Sequence, residues 1–296
     1  SSVSDDGHRF KTSPGAYEWW YFDALSDDGK DAFAITFFDN SIDSPRYNSR
    51  NKSRETPLRF PAISFLYFRN GKTVCSSTNE FSDNKFEPLG PGPGCKIGES
   101  TIVFDSETYG SGYLLNVSGS LPRGRRFVAR LEFLLIESSF RPERASTDKN
   151  MHSWNMAVPR ADVTGKIRLL ENDGQTVETF SFRGTGYHDH NRDERFFADT
   201  VDLWHRGRAH FADSTAVFAR YSEYGGIEPS TRLMIVRNGE LFENQVSYEE
   251  QAHARSSYGI RYPSRIRFTT DDGVRLRVKT LAVADSSLYY IRTLNE

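Results

Sequence analysis

The densest chemistry in this sequence lies in GTGYHDHN, Gly184 to Asn191, which carries Tyr187, His188, Asp189, His190 and Asn191 in succession. Imidazoles titrate near neutral pH and a neighbouring carboxylate can orient one of them, so an acid/base set with Asp189 and a His is the first reading. In an extended strand His188 and His190 share one face, and Tyr187, Asp189 and Asn191 take the other. Two His at that spacing can ligate a metal only with a third ligand. His205 and His210 are candidates that no spacing fixes there, so no metal is assigned. The same side chains could instead satisfy backbone groups in a buried polar turn. Two further segments carry candidates. In EWWYFDA, Glu18 shares a strand face with Trp20 and Phe22, while Trp19, Tyr21 and Asp23 share the other. A Glu beside Trp in a dry pocket has its acidic form favoured and suits a general acid; at a strand start it can equally face solvent or an Arg. In DLWHRGRAH, Trp204, Arg206 and Arg208 alternate with His205 and Gly207. A buried Arg208 could fix Asp189 or Glu18, or polarise a ligand carbonyl; on a solvated edge it would pair outward.

These segments need strands to position them. Phe33, Ile35 and Phe37 alternate with smaller residues, as do Ile63, Phe65 and Tyr67, then Leu131, Phe133 and Leu135, then Phe180 and Phe182. Val274, Leu276 and Val278 alternate with Arg275, Arg277 and Lys279, one face dry and one wet. Asp28-Gly29, Asn70-Gly71, Asp173-Gly174, Asn238-Gly239 and Asp272-Gly273 supply the positive φ angles of two-residue hairpins. No 3.6-residue stripe competes with them, so the fold class is all-β and antiparallel. Gly184 and Gly186 suggest a bend or a close backbone approach. Residues 241–256 read as a loop or one short helix, Asn40 to Pro57 as a long excursion over a barrel mouth, and Arg141 to Ser153 as irregular. A boundary near Pro159 to Gly165 gives domains 1–162 and 163–296, each long enough for a barrel or sandwich.

With 22 Phe, 14 Tyr and 4 Trp in 296 residues, the chain suits pleated surfaces and pockets for flat or polyunsaturated ligands. Its net charge is −2 with both signs interspersed, so it lacks the basic stripe of nucleic-acid binding. No apolar run approaches the roughly 20 residues of a membrane span. The opening SSVSDDG is polar and reads as no signal peptide, although a mature terminus left by cleavage is equally open. Two cysteines, Cys75 and Cys95, flank a Pro/Gly-rich loop, where a disulfide and two free thiols are both open. The triplets Asn51-Lys52-Ser53 and Asn116-Val117-Ser118 are potential N-glycan acceptors, and together these features lean weakly toward a secretory route. There is no phosphate loop, GxSxG elbow, Rossmann fingerprint or CxxC pair, which disfavours nucleotide redox chemistry and a thiol nucleophile.

GAYEWWYFDALSDDG followed by SPRY, then HSWNMAVPRADV, then GTGYHDHN and LWHRGRA, in this order, resemble the lipocalin-like superfamily of carotenoid 1,2-hydratases and fungal lipocalin-like Diels–Alderases. The resemblance implies two packed lipocalin-like antiparallel β-barrels with an apolar cavity where they meet. It also implies enzymes that need no redox or organic cofactor and act on bulky terpenoid or polyketide substrates. The matching positions are Glu18, Trp19, Trp20, Tyr21 and Asp23, then Gly186, Tyr187, Asp189 and Asn191, then Trp204 and Arg208. The chain departs from the pattern at Asn191-Arg192-Asp193, where the family continues Asn-Trp-Gly, and at Arg206, where a Trp is common. Two aromatic walls become cationic on this reading, which suits an oxygen-bearing substrate such as a phenol, enone, tropolone or tetramate.

The expectation is therefore a cofactor-independent cyclase of secondary metabolism, a pericyclase of Diels–Alder or hetero-Diels–Alder type. Asp189, His188, Tyr187, Arg208 and Glu18 would be catalytic, with Trp19, Trp20, Tyr21, His190, Asn191, Trp204 and Arg206 lining the substrate. The alternatives are a hydratase that protonates a polyene and adds water, and a carrier that binds an apolar ligand unchanged. A homodimer is one of the oligomeric states left open.

Overall fold

The computed structural model describes residues 3–9, 13–49, 59–90, 92–106, 110–137, 152–226, 228–256, 259, 261–271 and 273–280. The chain divides into two compact units, Ser1–Phe197 and Ala198–Glu296. The first holds β1 (Tyr17–Ser26), β2 (Asp31–Phe38), β3 (Ala62–Arg69), β4 (Lys72–Glu80), β5 (Phe86–Pro88), β6 (Gly94–Ile97), β7 (Ser100–Asp105), β8 (Gly112–Ser120), β9 (Arg126–Glu137), β10 (Ser153–Leu170) and β11 (Thr176–Asp193). The second holds β12 (Val201–His210), β13 (Thr215–Glu223), β14 (Ser230–Arg237), β15 (Glu240–Arg255), β16 (Arg261–Thr270) and β17 (Arg275–Lys279). The fold is all-β, as the alternation predicts, and lipocalin-like, as the family resemblance implies. The boundary expected between residues 162 and 163 falls inside β10, and the division comes instead at 197/198. Pro159 and Gly165, which look like linker residues, are both accommodated within that strand.

In the first unit the antiparallel order is β4-β3-β2-β1-β11-β10-β9-β8-β7-β6-β5. The sheet curls until β4 meets β8, where Ser77 Oγ donates to the Ser120 carbonyl at 2.5 Å and Ser120 N donates to Asn79 Oδ1 at 3.0 Å. Curling gives every strand one face on a shared core, which explains the period-2 pattern. Phe33, Ile35, Phe37, Ile63, Phe65, Tyr67, Leu131, Phe133, Phe180 and Phe182 are all inward and buried, and Phe65 stacks on Phe127 at 4.3 Å. Each such side chain contributes about 1.5–3 kcal/mol when fully removed from water. Cys75 and Cys95 are buried free thiols on different strands, so the disulfide alternative does not hold.

The second unit is a meander, β12-β13-β14-β15-β16-β17. Its core is Ala216, Phe218, Leu233, Ile266 and Phe268, with Leu276 and Val278 packed against it, while Val274 lies just outside β17 and is exposed. Residues 241–256, expected as a loop or helix, are most of β15. Val246, Tyr248, Ala252 and Ala254 are half-buried between exposed neighbours, but the inward face is partly Ala and a register shift follows Glu250, which blurs the apolar period. The turns at Asn70-Gly71 and Asn238-Gly239 have positive φ at both residues, matching the hairpin signal. Of the Asn40 to Pro57 excursion, Pro45–Asn48 is a short helix capped by Ser44, while residues 50–58, with Asn51, lie outside the described residues. Most of Arg141 to Ser153 also lies outside them. Asn116 is exposed on β8. Among the described residues no helix is long and apolar enough to cross a membrane.

Gly184 is where backbones come closest, since a Cβ there would sit 2.1 Å from the Leu25 carbonyl oxygen of β1. Neither backbone can yield without opening the β1–β11 ladder. Gly184→Ala should therefore destabilise the chain by about 2 kcal/mol or more, at the upper end of overpacking effects. Urea unfolding of the two proteins measures this, and an unchanged midpoint would contradict the packing described.

Candidate active site

The five candidate residues of GTGYHDHN and the aromatics of EWWYFDA meet because β1 and β11 are adjacent and antiparallel. The register pairs Trp19 with Asn191, Trp20 with His190, Tyr21 with Asp189, Phe22 with His188 and Asp23 with Tyr187. Alternation then sorts the ladder into two faces. The even-numbered residues point into the core of the first unit, and the odd-numbered ones point the other way.

On the core face each imidazole lies flat on an aromatic ring. His188 stacks on Phe22 at 3.8 Å and His190 on Trp20 at 4.6 Å, while Tyr113 of β8 meets His188 edge-on. Asp6, delivered by a 3-10 turn (Val3–Asp6), is buried between the two rings. Its Oδ2 takes His188 Nε2 at 2.9 Å and the Tyr113 hydroxyl at 2.7 Å, and its Oδ1 faces His190 Nδ1 at 3.3 Å. Glu18 Oε1 takes His190 Nε2 at 2.6 Å, and Glu18 Oε2 faces His8 Nδ1 at 2.8 Å. The remaining His188 nitrogen faces the Tyr21 carbonyl at 3.0 Å. Both nitrogens of His188 and both of His190 thus face acceptors, which is matched when each ring carries two protons. Burial alone would raise the Asp6 carboxyl, but His188 and His190 outweigh it and hold Asp6 well below the ordinary carboxylate range. Burial likewise opposes charge on His190, and Glu18 with Asp6 outweighs it to raise that imidazole above 6.5.

The outer face is a different device. Asp189 is buried and accepts three hydrogen bonds, from Tyr187 Oη at 2.9 Å, Trp154 Nε1 at 3.0 Å and Asn191 Nδ2 at 2.8 Å. The last of these fixes the amide orientation of Asn191, whose Oδ1 lies 3.2 Å from His152 Nε2. An amide oxygen can only accept, so His152 Nε2 donates to it, and His152 Nδ1 is hydrogen-bonded with the Tyr17 hydroxyl at 2.8 Å. Tyr21 Oη donates to Asp23 Oδ2 at 2.9 Å. Aromatic rings flank this chain of bonds. Tyr17 stacks on Trp19 at 5.2 Å, and Phe197 meets both edge-on. A carboxylate with ordered donors beside π faces can exchange a proton and stabilise a nearby cationic centre.

Relatives place this geometry in context. The family model described as carotenoid hydratase CrtC matches residues 96–295, more than half of the chain. The chain belongs to that carotenoid hydratase family. It is 25 % identical over 313 residues to the hydroxyneurosporene dehydrogenase of Chlorobaculum tepidum, covering 98 % of this chain and 79 % of that protein. It is 28 % identical over 243 residues to the acyclic carotenoid 1,2-hydratase of Thiocapsa roseopersicina, covering 80 % of this chain but only 56 % of that protein. Among solved structures, an AttH protein of Nitrosomonas europaea matches with a TM-score of 0.64 at 16 % identity, covering 95 % of this chain and 84 % of that one. CghA bound to Sch210972 matches with a TM-score of 0.54 at 12 % identity, covering 94 % and 82 %. At such identities these two likenesses concern the fold alone.

Within this family member, the residues expected to act together fall into separate places. Tyr187, Asp189, Asn191, Trp19 and Tyr21 share the outer face. Glu18, Trp20, His188 and His190 are on the core face, so the Asp–His pair is Asp6 with His188, not Asp189 with His188. Glu18 sits among His8, His190 and the Arg9 amide, surroundings that favour an ionised carboxylate and not the dry aromatic pocket of a general acid. Trp204, Arg206 and Arg208 lie on β12 of the second unit, on the strand face opposite Gly207, which contacts Phe218 of that unit's core. Arg208 Nε donates to His210 Nε2 at 3.1 Å. Contributors with no role assigned from sequence include His152, Trp154, Asp6, Tyr17 and Tyr113. The first two sit in the HSWNMAV block, and pairing of Trp154 with Asn191 is what brings them to Asp189. Among the described residues, His8, Glu18 and Asp39 offer ligand atoms within 4.8 Å of one another. Glu18 already serves His190, and Asp39 serves Arg59 at 2.8 Å and the Glu18 amide at 2.5 Å, so the group reads as an ion-pair cluster.

The core-face charges set a pH window. Asp6 is depressed, so its contribution is complete above its unfolded value near 3.8 and is lost as pH falls below it. His190 is raised, so its contribution is complete below 6.5 and is lost as pH rises through its folded value. Thermal unfolding from pH 3 to 9 should show highest stability between those limits, with the acid limb flattened in Asp6→Asn. Identical acid limbs in the two proteins would remove Asp6 from this role.

Proposed function

We propose that the chain adds water to, or removes it from, a carbon–carbon double bond of an apolar isoprenoid polyene, with Asp189 exchanging the proton. The observation that carries this reading is the buried Asp189, accepting from Tyr187, Trp154 and Asn191 on the strand face that also carries the aromatic rings of Tyr21, Trp19 and Tyr17. In the forward direction the Asp189 carboxylic acid gives its proton to one alkene carbon, leaving a carbocation on the other. Tyr187, Trp154 and Asn191 donate to the carboxylate left behind and stabilise it. The π faces and that carboxylate hold the cation. Water adds to it and loses a proton back to Asp189, which restores the starting state. Membership of the carotenoid hydratase family, and a relative named for acyclic carotenoid 1,2-hydration, support a polyene as substrate.

Cyclisation remains the second reading. It is favoured by β12, where Arg206 and Arg208 sit with Trp204 on one strand face and offer donors suited to a substrate carbonyl. In that case binding geometry supplies most of the rate, and Asp189 matters only if water must first be lost.

Incubation with an acyclic polyene in oxygen-18 water separates these readings. One labelled oxygen in the product supports hydration, an isomer of unchanged mass supports cyclisation, and unaltered ligand bound to the protein supports a carrier. For hydration, Asp189→Asn should lower kcat by roughly 10²–10⁴ with ligand binding retained, the usual range for a positioned acid/base. Undiminished turnover in that variant would rule out Asp189 as the proton donor.

A further inference from the structure

We propose that Asp6, brought in by the segment of residues 3–9, is a positioning residue that aims Asp189 from the opposite side of the sheet. The inference rests on the role given to Asp189 above. His188 and His190 are the two residues flanking Asp189 in β11, and a single carboxylate engages both: Asp6 Oδ2 at 2.9 Å from His188 Nε2 and Asp6 Oδ1 at 3.3 Å from His190 Nδ1. Their side chains are held on the core face, so residue 189 between them is held outward. The partner strand is fastened the same way. Phe22 and Trp20, which stack on these two imidazoles, flank Tyr21, and Tyr21 lies directly across from Asp189.

Asp6 is itself tied on several sides. Its backbone carbonyl accepts from Trp20 Nε1 at 2.9 Å, and its Oδ2 accepts from Tyr113 Oη at 2.7 Å, bonds that draw on β1 and β8. A buried residue whose carboxylate is engaged by three groups and whose backbone carbonyl is engaged by a fourth has little freedom to follow a shift in the strands. Mobility in β11 must therefore break buried charged hydrogen bonds, each far stronger than an exposed pair. The outer-face donors Tyr187 and Asn191 are at positions 187 and 191, just beyond the two clamped residues, so the clamp sets their backbone as well. The segment of residues 3–9 thus acts as an internal strap beneath the reactive carboxylate.

The test reads Asp189 directly, without substrate. Trp154 Nε1–H donates to Asp189 Oδ2 at 3.0 Å, so its indole N–H resonance in proton–nitrogen NMR reports the position of that carboxylate. The four indole signals are assigned by single Trp→Phe changes. Asp6→Asn should move the Trp154 indole proton upfield, and Asp6→Glu should partly restore it. If the Asp189 reading also holds, kcat in Asp6→Asn falls roughly tenfold to a hundredfold with KM little changed, the scale of a small misplacement of reacting groups. Tyr113→Phe keeps the ring and removes one of the bonds to Asp6, so it should give a smaller shift in the same direction, and it decides the matter if Asp6→Asn does not fold. A Trp154 resonance unmoved in the folded variants overturns the proposal. A moved resonance with no measurable turnover in the wild-type protein leaves the positioning intact and sinks the proposed reaction instead.

Discussion

The β1–β11 ladder is the constraint on which the rest depends. One pair of antiparallel strands separates two sets of polar groups by nothing more than the parity of residue number. A slip of one residue would send Asp189 into the aromatic core and turn both imidazoles outward. Register therefore has to be held more firmly than in an ordinary core ladder, and the means are visible. Trp20 with His190 and Phe22 with His188 are stacked cross-strand pairs, and the Gly184 approach to Leu25 admits no side chain.

The two faces solve the burial of polar groups differently. On the core face ionisable groups are paired with one another, Asp6 with both imidazoles, Glu18 with His190, and Arg192 across from Glu18. Such a lattice adds little to stability over an apolar core of the same shape, but removal of one member leaves its partners unmatched, typically at 3–5 kcal/mol. That asymmetry makes the lattice specific. On the outer face Asp189 accepts from Tyr187, Trp154 and Asn191, and its orientation propagates along Asn191, His152 and Tyr17 with each bond fixing the next.

Much of the fold is legible in the sequence because curled sheets impose period 2 on one continuous core, and Asn-Gly turns have few other uses. β15 is not, since a strand whose inward face mixes Ala with Tyr and breaks its register carries little apolar signal. The site is legible in part. Parity alone separates Tyr187, Asp189 and Asn191 from His188 and His190. The partner of the imidazoles is not legible, because Asp6 lies 182 residues from His188 and only tertiary structure joins them. Proximity in sequence made Asp189 the natural choice, and strand geometry forbids it. His152 and Trp154 stood in a recognisable block, but no local pattern says that β10 would lie beside β11 in the register that carries them to Asp189.

The same parity changes what the departure at Asn191-Arg192-Asp193 means. As an aromatic wall turned cationic, it argued for an oxygen-bearing substrate. Arg192 is an even-numbered residue of β11, lies across from Glu18, and has Glu18, Asp5, Asp6 and Arg9 as its charged neighbours. It belongs with the core-face charges and not with the ring system around Asp189. Asp193 is turned to Arg195, accepting from its backbone amide at 2.9 Å and from its guanidinium at 3.0 and 2.8 Å. Arg192 puts no charge on the outer face, and Asp193, which lies across from Tyr17, has its carboxylate engaged by Arg195, so the substitution weighs less against a hydrocarbon at Asp189. What preference for oxygen this chain retains must come from Arg206 and Arg208, a property of β12 and not of the segment where the departure first drew notice.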